Sequence, residues 1–212
     1  MNKLPKYPHL RKKEYMENVY EPSEDTFILM ESIDMLLKEA SFSTPSVCIE
    51  IGVGLGLVIT YAAQVLSAPP SLSSSADLSS DISFAAPQLS SPPLQPSSTL
   101  FIGTELNPVA LRAARETASL NGVGDRIELV QCDLCSPLLA RLAHSVDLLL
   151  VNPPYVPHEA DTQLSSSTWI DCACLGGIDG NGTLLMCCSL IQPHAHPLLP
   201  HHQVFVFSLV KA

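Results

Sequence analysis

The stretch Val47-Cys48-Ile49-Glu50-Ile51-Gly52-Val53-Gly54-Leu55-Gly56 decides the fold. Val47 to Ile51 is a short apolar run suited to one buried strand, and three glycines at alternate positions break it. Leu57 to Leu66 then reads as a helix. A strand, a glycine turn and a helix in that order let the backbone pass very close to a ligand, because side chains at Gly52 and Gly54 would block the approach. The glycines are spaced GxGxG rather than GxGxxG, so the dinucleotide fingerprint is imperfect. Taken alone, the run also fits a plain tight turn.

Upstream of this unit, Ser23 is placed to cap a helix running to about Glu39, with Glu24 and Asp25 in its first turn facing the positive end of the helix dipole. Phe27, Met30, Ile33 and Leu37 recur at three- and four-residue intervals and predict one apolar face. Downstream, Leu100 to Thr104 reads as a second strand, and Asn107-Pro108 marks a helix start with its cap and first residue. Leu111, Ala114 and Ala118 supply that helix's packing face. Ile127 to Gln131, Val146 to Val151 and Gln203 to Val210 read as further strands. Strands alternating with helices predict an α/β fold, a mostly parallel sheet covered on both faces, with ligands at the carboxyl ends of the strands.

Residues 67 to 99 stand apart, with 12 Ser, 6 Pro and no Lys or Arg. Hydrophobic periodicity disappears there, which reads as a disordered low-complexity insertion. Loop-closure entropy grows only logarithmically, so such an insertion is tolerated and the elements on either side are read as neighbours.

A chain of 212 residues with 46% hydrophobic and 15% charged residues fits one globular domain spanning 1 to 212. Eleven Lys plus Arg stand against 21 Asp plus Glu, and the net charge of −10 opposes a phosphate backbone, making nucleic acid a poor first substrate. Lys3, Lys6, Arg11, Lys12 and Lys13 form the one basic cluster, read as a solvated tail over residues 1 to 18. No run of about 18 apolar residues and no signal-peptide core is present, so a cytoplasmic or nuclear location without membrane contact is expected. The 7 Cys suit reduced thiols. Cys132-x-x-Cys135 has no second pair at ribbon-like spacing and reads as core packing, and His194, His196, His201 and His202 lie among prolines in a loop, so no metal site is expected.

Every distinctive polar residue falls at a strand's carboxyl end: Glu50 with its glycines, Glu105, Asp133, and Asn152 followed by Pro153-Pro154-Tyr155. Glu105 can accept from two vicinal ribose hydroxyls, and Asp133 from an adenine amino group with Leu134 beside it. Each acid alone also fits a solvated strand-end or turn residue. Asn152-Pro153-Pro154-Tyr155 is sharper, because two prolines remove two backbone donors and leave carbonyls facing outward. The Asn152 oxygen and the Pro153 carbonyl can each accept one N–H of a planar NH2 group, while Tyr155 stacks on it.

These residues resemble the NPPY-type S-adenosylmethionine-dependent methyltransferases, and more closely the eukaryotic HemK-like glutamine methyltransferases that modify class I translation release factors. Val19-Tyr20-Glu21-Pro22-Ser23-Glu24-Asp25-Thr26-Phe27 is similar to that subfamily's N-terminal signature. Trp169 followed by Gly176-Gly177-Ile178-Asp179-Gly180 is similar to the segment placed after NPPY. The resemblance implies a Rossmann-like class I methyltransferase three-layer sandwich and S-adenosylmethionine as cofactor. It implies cofactor contacts from Thr26, Glu50, Gly52, Gly54, Gly56, Glu105, Asp133, Leu134 and Asn152, with Asn152, Pro153, Pro154 and Tyr155 holding the target amide. It further implies a release factor as protein substrate, a small zinc-binding activator subunit completing a heterodimer, and a further helix and strand pair beyond Ala212 that this chain lacks. Three other readings use part of the same pattern: an adenine amino methyltransferase, a catalytically silent cofactor-binding module, and a nicotinamide oxidoreductase that leaves NPPY without a task.

Overall fold

The computed structural model describes residues 3–66, 99–142, 145–154, 168–174 and 204–207. Strands β1 (Val47–Ile51), β2 (Leu100–Glu105), β3 (Ile127–Gln131), β4 (Leu148–Val151) and β5 (Val204–Phe207) form one sheet in the order β3-β2-β1-β4-β5. Every pairing among them is parallel. The chain moves outward from β1 through β2 to β3, then returns to the other side of β1 with β4. That reversal is the topological switch point at which a crevice opens beyond the strand ends. Ile51 is paired with both Thr104 and Val151, so Gly52, Glu105 and Asn152 follow at one level at the carboxyl ends of their strands.

The helices are α1 (Lys13–Asn18), α2 (Glu24–Leu36), α3 (Leu57–Leu66), α4 (Pro108–Leu120), α5 (Leu139–Leu142) and α6 (Trp169–Cys174). One face of the sheet, through Cys48, Phe101, Leu148 and Leu150, packs under Leu29, Met30 and Ile33 of α2, Ile59 and Ala62 of α3, and Ala114 of α4. On the opposite face Ile49, Ile51, Ile102, Leu149 and Val151 pack with Cys135, and Leu138 and Leu142 are partly buried against them. Alternate residues of a strand thus meet opposite cores, and β4 is buried at all four positions. Burying each large apolar side chain contributes about 1.5–3 kcal/mol, which is what holds this sheet between its layers.

Local signals succeed where no distant group competes. Asn107 caps α4 through its side-chain oxygen, which accepts the Val109 N–H at 2.8 Å, and Pro108 follows as the first helical residue. β4 begins at Leu148 rather than Val146 because Asp147 turns its carboxylate to the N–H groups of Ser46 and Val47, at 2.7 and 2.9 Å.

Elsewhere the structure differs from expectation. Ser23 makes no side-chain cap for α2, because its hydroxyl is engaged by Asp25 and by the Tyr20 hydroxyl. That helix ends at Leu36 instead of Glu39; Leu37 is exposed, and Leu29 takes its place on the buried face. The lysines of the N-terminal cluster are exposed, yet the segment carrying them is anchored rather than free. His9, Leu10, Tyr15 and Val19 are buried, His9 Nε2 lies 3.0 Å from the Ala113 carbonyl, and Lys12 and Tyr15 both reach Glu116 of α4. The segment ends on the pocket side, where the Asn18 carbonyl accepts the Asn107 side-chain N–H at 2.8 Å.

Of the insertion expected over 67 to 99, residues 67 to 98 lie outside the described residues, as do the four histidines and the glycine segment 176–180. Thr99 is described, and its hydroxyl donates to the Pro45 carbonyl at 2.7 Å. No helix among the described residues is long and apolar enough to cross a membrane.

Candidate functional site

The site begins with the glycine turn. Gly52 and Val53 both donate their N–H groups to the Thr104 carbonyl, at 2.9 and 3.0 Å, which ties the turn to the end of β2. Gly52 and Gly54 have φ of +75° and +51°, and a Cβ added at either would meet nothing within 4 Å. Their missing side chains therefore face open space in front of the sheet. Gly56 is different: at φ +76° its Cβ would lie 2.7 Å from the Ala114 Cβ. It was expected to contact the cofactor, but it does not line the cavity, and its bareness instead lets the start of α3 approach α4.

Glu105 is pinned through both carboxylate oxygens. Oε2 accepts the Gly54 N–H and Oε1 the Asn107 N–H, each at 2.9 Å. Each oxygen retains a further lone pair, so the acid can still accept from a diol while its own position is fixed. Glu50 lies deeper. It is 3% exposed, the Ile59 backbone N–H reaches its carboxylate, and Oε2 is buried without a partner. Burial pushes its carboxyl well above the usual carboxylate range, with the nearby charge of Glu105 adding in the same direction and the Ile59 N–H opposing.

Asp133 is exposed at the end of the β3 loop. Its carbonyl, rather than its carboxylate, accepts from the Ser136 N–H and hydroxyl, at 3.1 and 2.7 Å, so the turn leaves the side chain to the cavity it lines. Leu134 beside it has φ +50°, a left-handed conformation that strains a side-chain-bearing residue. Burial pushes the Cys132 and Cys174 thiols up, helped by Asp133 and by Asp171 respectively, so neither offers a ready thiolate.

Asn152 follows β4. Its Nδ2 donates to Asp25 Oδ2 at 3.0 Å, and its Oδ1 is buried with no partner. Thr26 donates its backbone N–H to the other oxygen of Asp25, at 2.8 Å. One cavity of about 270 Å³ is lined by Thr26, Glu50, Gly52, Gly54, Glu105, Asp133, Leu134, Asn152, Pro153 and Pro154. Of the expected site residues, Gly56 stands outside it and Tyr155 lies outside the described residues. Asp25, Trp169 and Cys172 also line it, and the sequence reading had not placed them there. Asp25 is an acid of the first turn of α2, as expected, and it also reaches the cavity.

An adenosyl amino-acid cofactor fits these groups. Two buried acceptors without partners, Glu50 Oε2 and Asn152 Oδ1, border a cavity whose turn has no side chains to obstruct it, and a pinned carboxylate stands beside the turn. Among the described residues, no group of three or more His, Cys, Asp or Glu side chains could hold a metal ion.

No family model matches the chain. Methyltransferase HEMK2 of Mus musculus is 30% identical over 210 residues, covering 98% of this chain and 78% of that protein. Methyltransferase HEMK2 of Homo sapiens is 32% identical over 155 residues, covering 72% of this chain and 57% of that protein. The eRF1 methyltransferase catalytic subunit mtq2 of Schizosaccharomyces pombe is 30% identical over 186 residues, covering 85% of this chain and 68% of that protein. The match thus spans from 57% to 78% of the length of these three curated relatives.

Proposed function

The chain belongs to the HemK-like methyltransferase family, and from that membership we propose that it methylates the side-chain amide of a glutamine in a class I translation release factor. S-adenosylmethionine use is a general property of that family. The observation that carries the reading is the register at the centre of the sheet. Ile51 and Val151 are paired, so the glycine turn and the Asn152-Pro153-Pro154 turn leave neighbouring strands side by side and line one cavity. A methyl donor at the first turn and a nitrogen acceptor at the second would be within reach of each other.

When bound, S-adenosylmethionine supplies a sulfonium methyl open to displacement by a nitrogen lone pair. Glu105 would hold the ribose hydroxyls through the lone pairs not engaged by Gly54 and Asn107. Asp133 and Leu134 would receive the adenine, and Thr26, Glu50 and the bare edge of Gly52 and Gly54 the amino-acid end. Asn152 Oδ1 and the Pro153 carbonyl would take the two N–H bonds of the target amide, aligning its lone pair. An amide nitrogen is a poor nucleophile, so the main contribution is orientation, worth up to about 7–11 kcal/mol for reacting atoms held in contact. The two acceptors add electrostatic support as positive charge develops on nitrogen. Tyr155 is the next residue and would stack on the amide plane. The zinc-binding activator subunit belongs to the same proposal, with solubility on co-expression as its check.

The test is transfer of a labelled methyl group from S-adenosylmethionine to release-factor protein, with adenine-containing oligonucleotides in parallel. Label in the protein, located at a glutamine amide and lost with Asn152→Ala, is the expected result. Label in the oligonucleotide alone would overturn the reading in favour of a base methyltransferase.

A further inference from the structure

We propose that Asp25 is a positioning residue: it fixes which end of the Asn152 amide faces the cavity. This rests on the methyl-transfer reading above. An asparagine side chain is nearly symmetric in shape, and a half-turn of its amide exchanges acceptor for donor. Binding a target NH2 requires the acceptor in the cavity. With the opposite setting, two NH2 groups would confront each other.

The Asp25 carboxylate resolves that ambiguity. Its Oδ2 lies 3.0 Å from Asn152 Nδ2, across 127 positions of sequence. A carboxylate accepts, so the NH2 end must face Asp25 and Oδ1 must turn away from it. Asn152 Oδ1 is accordingly the buried acceptor without a partner, in a residue that borders the cavity. Reversing the amide would set two oxygens against each other where water cannot screen them, since Asp25 is 2% exposed.

Asp25 is itself held from behind. Its Oδ1 accepts from the Ser23 hydroxyl and from the Thr26 N–H, and Ser23 is bonded to the Tyr20 hydroxyl at 2.9 Å. An acid serving only the dipole of α2 has no need of burial. The neighbouring Glu24 occupies the same first turn and is exposed.

The experiment uses the full chain and measures kcat, KM and S-adenosylmethionine affinity for wild type, Asp25→Ala, Asn152→Asp, and the exchange Asp25→Asn with Asn152→Asp. Asp25→Ala is expected to lower kcat about 10- to 100-fold through loss of alignment, with cofactor affinity nearly unchanged. Asn152→Asp alone places two carboxylates against each other and is expected to lose most activity. In the exchange, the new amide at 25 donates to the carboxylate at 152, whose second oxygen still accepts in the cavity, and kcat is expected to recover at least about tenfold over Asn152→Asp.

Wild-type kcat in Asp25→Ala, a kcat loss matched by an equal loss of cofactor affinity, or an exchange no better than Asn152→Asp would each overturn the assignment. If Asp25→Ala does not fold, the exchange decides. If the wild type binds cofactor but methylates no amide, the functional reading fails separately, and the Asn152 side-chain 1H–15N resonances decide the orientation. Slower hydrogen exchange in wild type than in Asp25→Ala upholds it, and equal exchange overturns it.

Discussion

The Glu105 carboxylate accepts the Gly54 backbone N–H at 2.9 Å, so the acid at the end of β2 and the glycine turn after β1 form one unit. The same side chain holds Asn107, and through it the start of α4. Glu105→Ala would remove a ligand acceptor and loosen the turn at once. A charge-assisted hydrogen bond is worth about 1.5–3 kcal/mol, so S-adenosylmethionine affinity is expected to fall about 10- to 150-fold. Isothermal titration calorimetry reads this directly, and unchanged affinity would remove Glu105 from the site.

Gly56 and Gly52 should fail in different ways. Gly56→Ala drives a methyl group to 2.7 Å from Ala114 at a left-handed φ, and is expected to cost about 1–3 kcal/mol of stability. Gly52→Ala meets open space, so its stability cost should be limited to the backbone strain, about 1–2 kcal/mol. Its methyl group would enter the cavity and weaken cofactor binding. Urea unfolding and calorimetry on the two variants separate the effects; equal binding losses would mean that both glycines face the ligand.

Glu50 sets a pH dependence whose sign follows from its raised carboxyl. The folded protein holds this proton more tightly than the unfolded chain does. Its contribution to stability is therefore fully present below the ordinary value of 4.5 and is lost as pH rises through the folded-state value. Glu50→Gln should flatten that part of the ligand-free stability curve. Denaturant titrations from pH 4 to pH 8 check it, and parallel curves for the two proteins would contradict the assignment.

Tyr61 and Asp34 make a buried bond between α3 and α2, with the hydroxyl donating to Oδ1 at 2.6 Å. Tyr61→Phe keeps the ring packing and removes that donor from a buried carboxylate. The expected cost is about 1–3 kcal/mol, with no change in cofactor affinity. Thermal unfolding with and without ligand distinguishes this from damage to the cavity.

Much of this arrangement is legible in the chain itself, because it depends on short-range signals. The apolar run of β1, its glycines, and the Asn107-Pro108 start of α4 all act on near neighbours. The parallel topology then carries Glu50, Glu105 and Asn152 to one edge without further information. What escaped the sequence reading depends on distant partners. Ser23 has the composition of a cap, yet its hydroxyl belongs to Asp25 and Tyr20. Gly56 has the spacing of a ligand glycine, yet it answers to Ala114 in another helix. His9, Leu10, Tyr15 and Val19 are too irregularly spaced to announce their burial against Leu55, Leu57, Ala110 and Ala113. Asp25 could be recognised only once Asn152 lay beside it.

The connection between α3 and β2 joins the domain at Leu66 and at Thr99, and β2 enters the sheet from the edge opposite the cavity. Thr99 is bonded there to the Pro45 carbonyl at 2.7 Å and Leu100 to Ser46 at 2.8 Å, which fastens the return of the chain before the strand begins. That remote edge is a natural port for protein engineering. A fluorescent reporter or affinity handle joined to the domain through Leu66 and Thr99 would be attached at the end of β2 away from the reacting face.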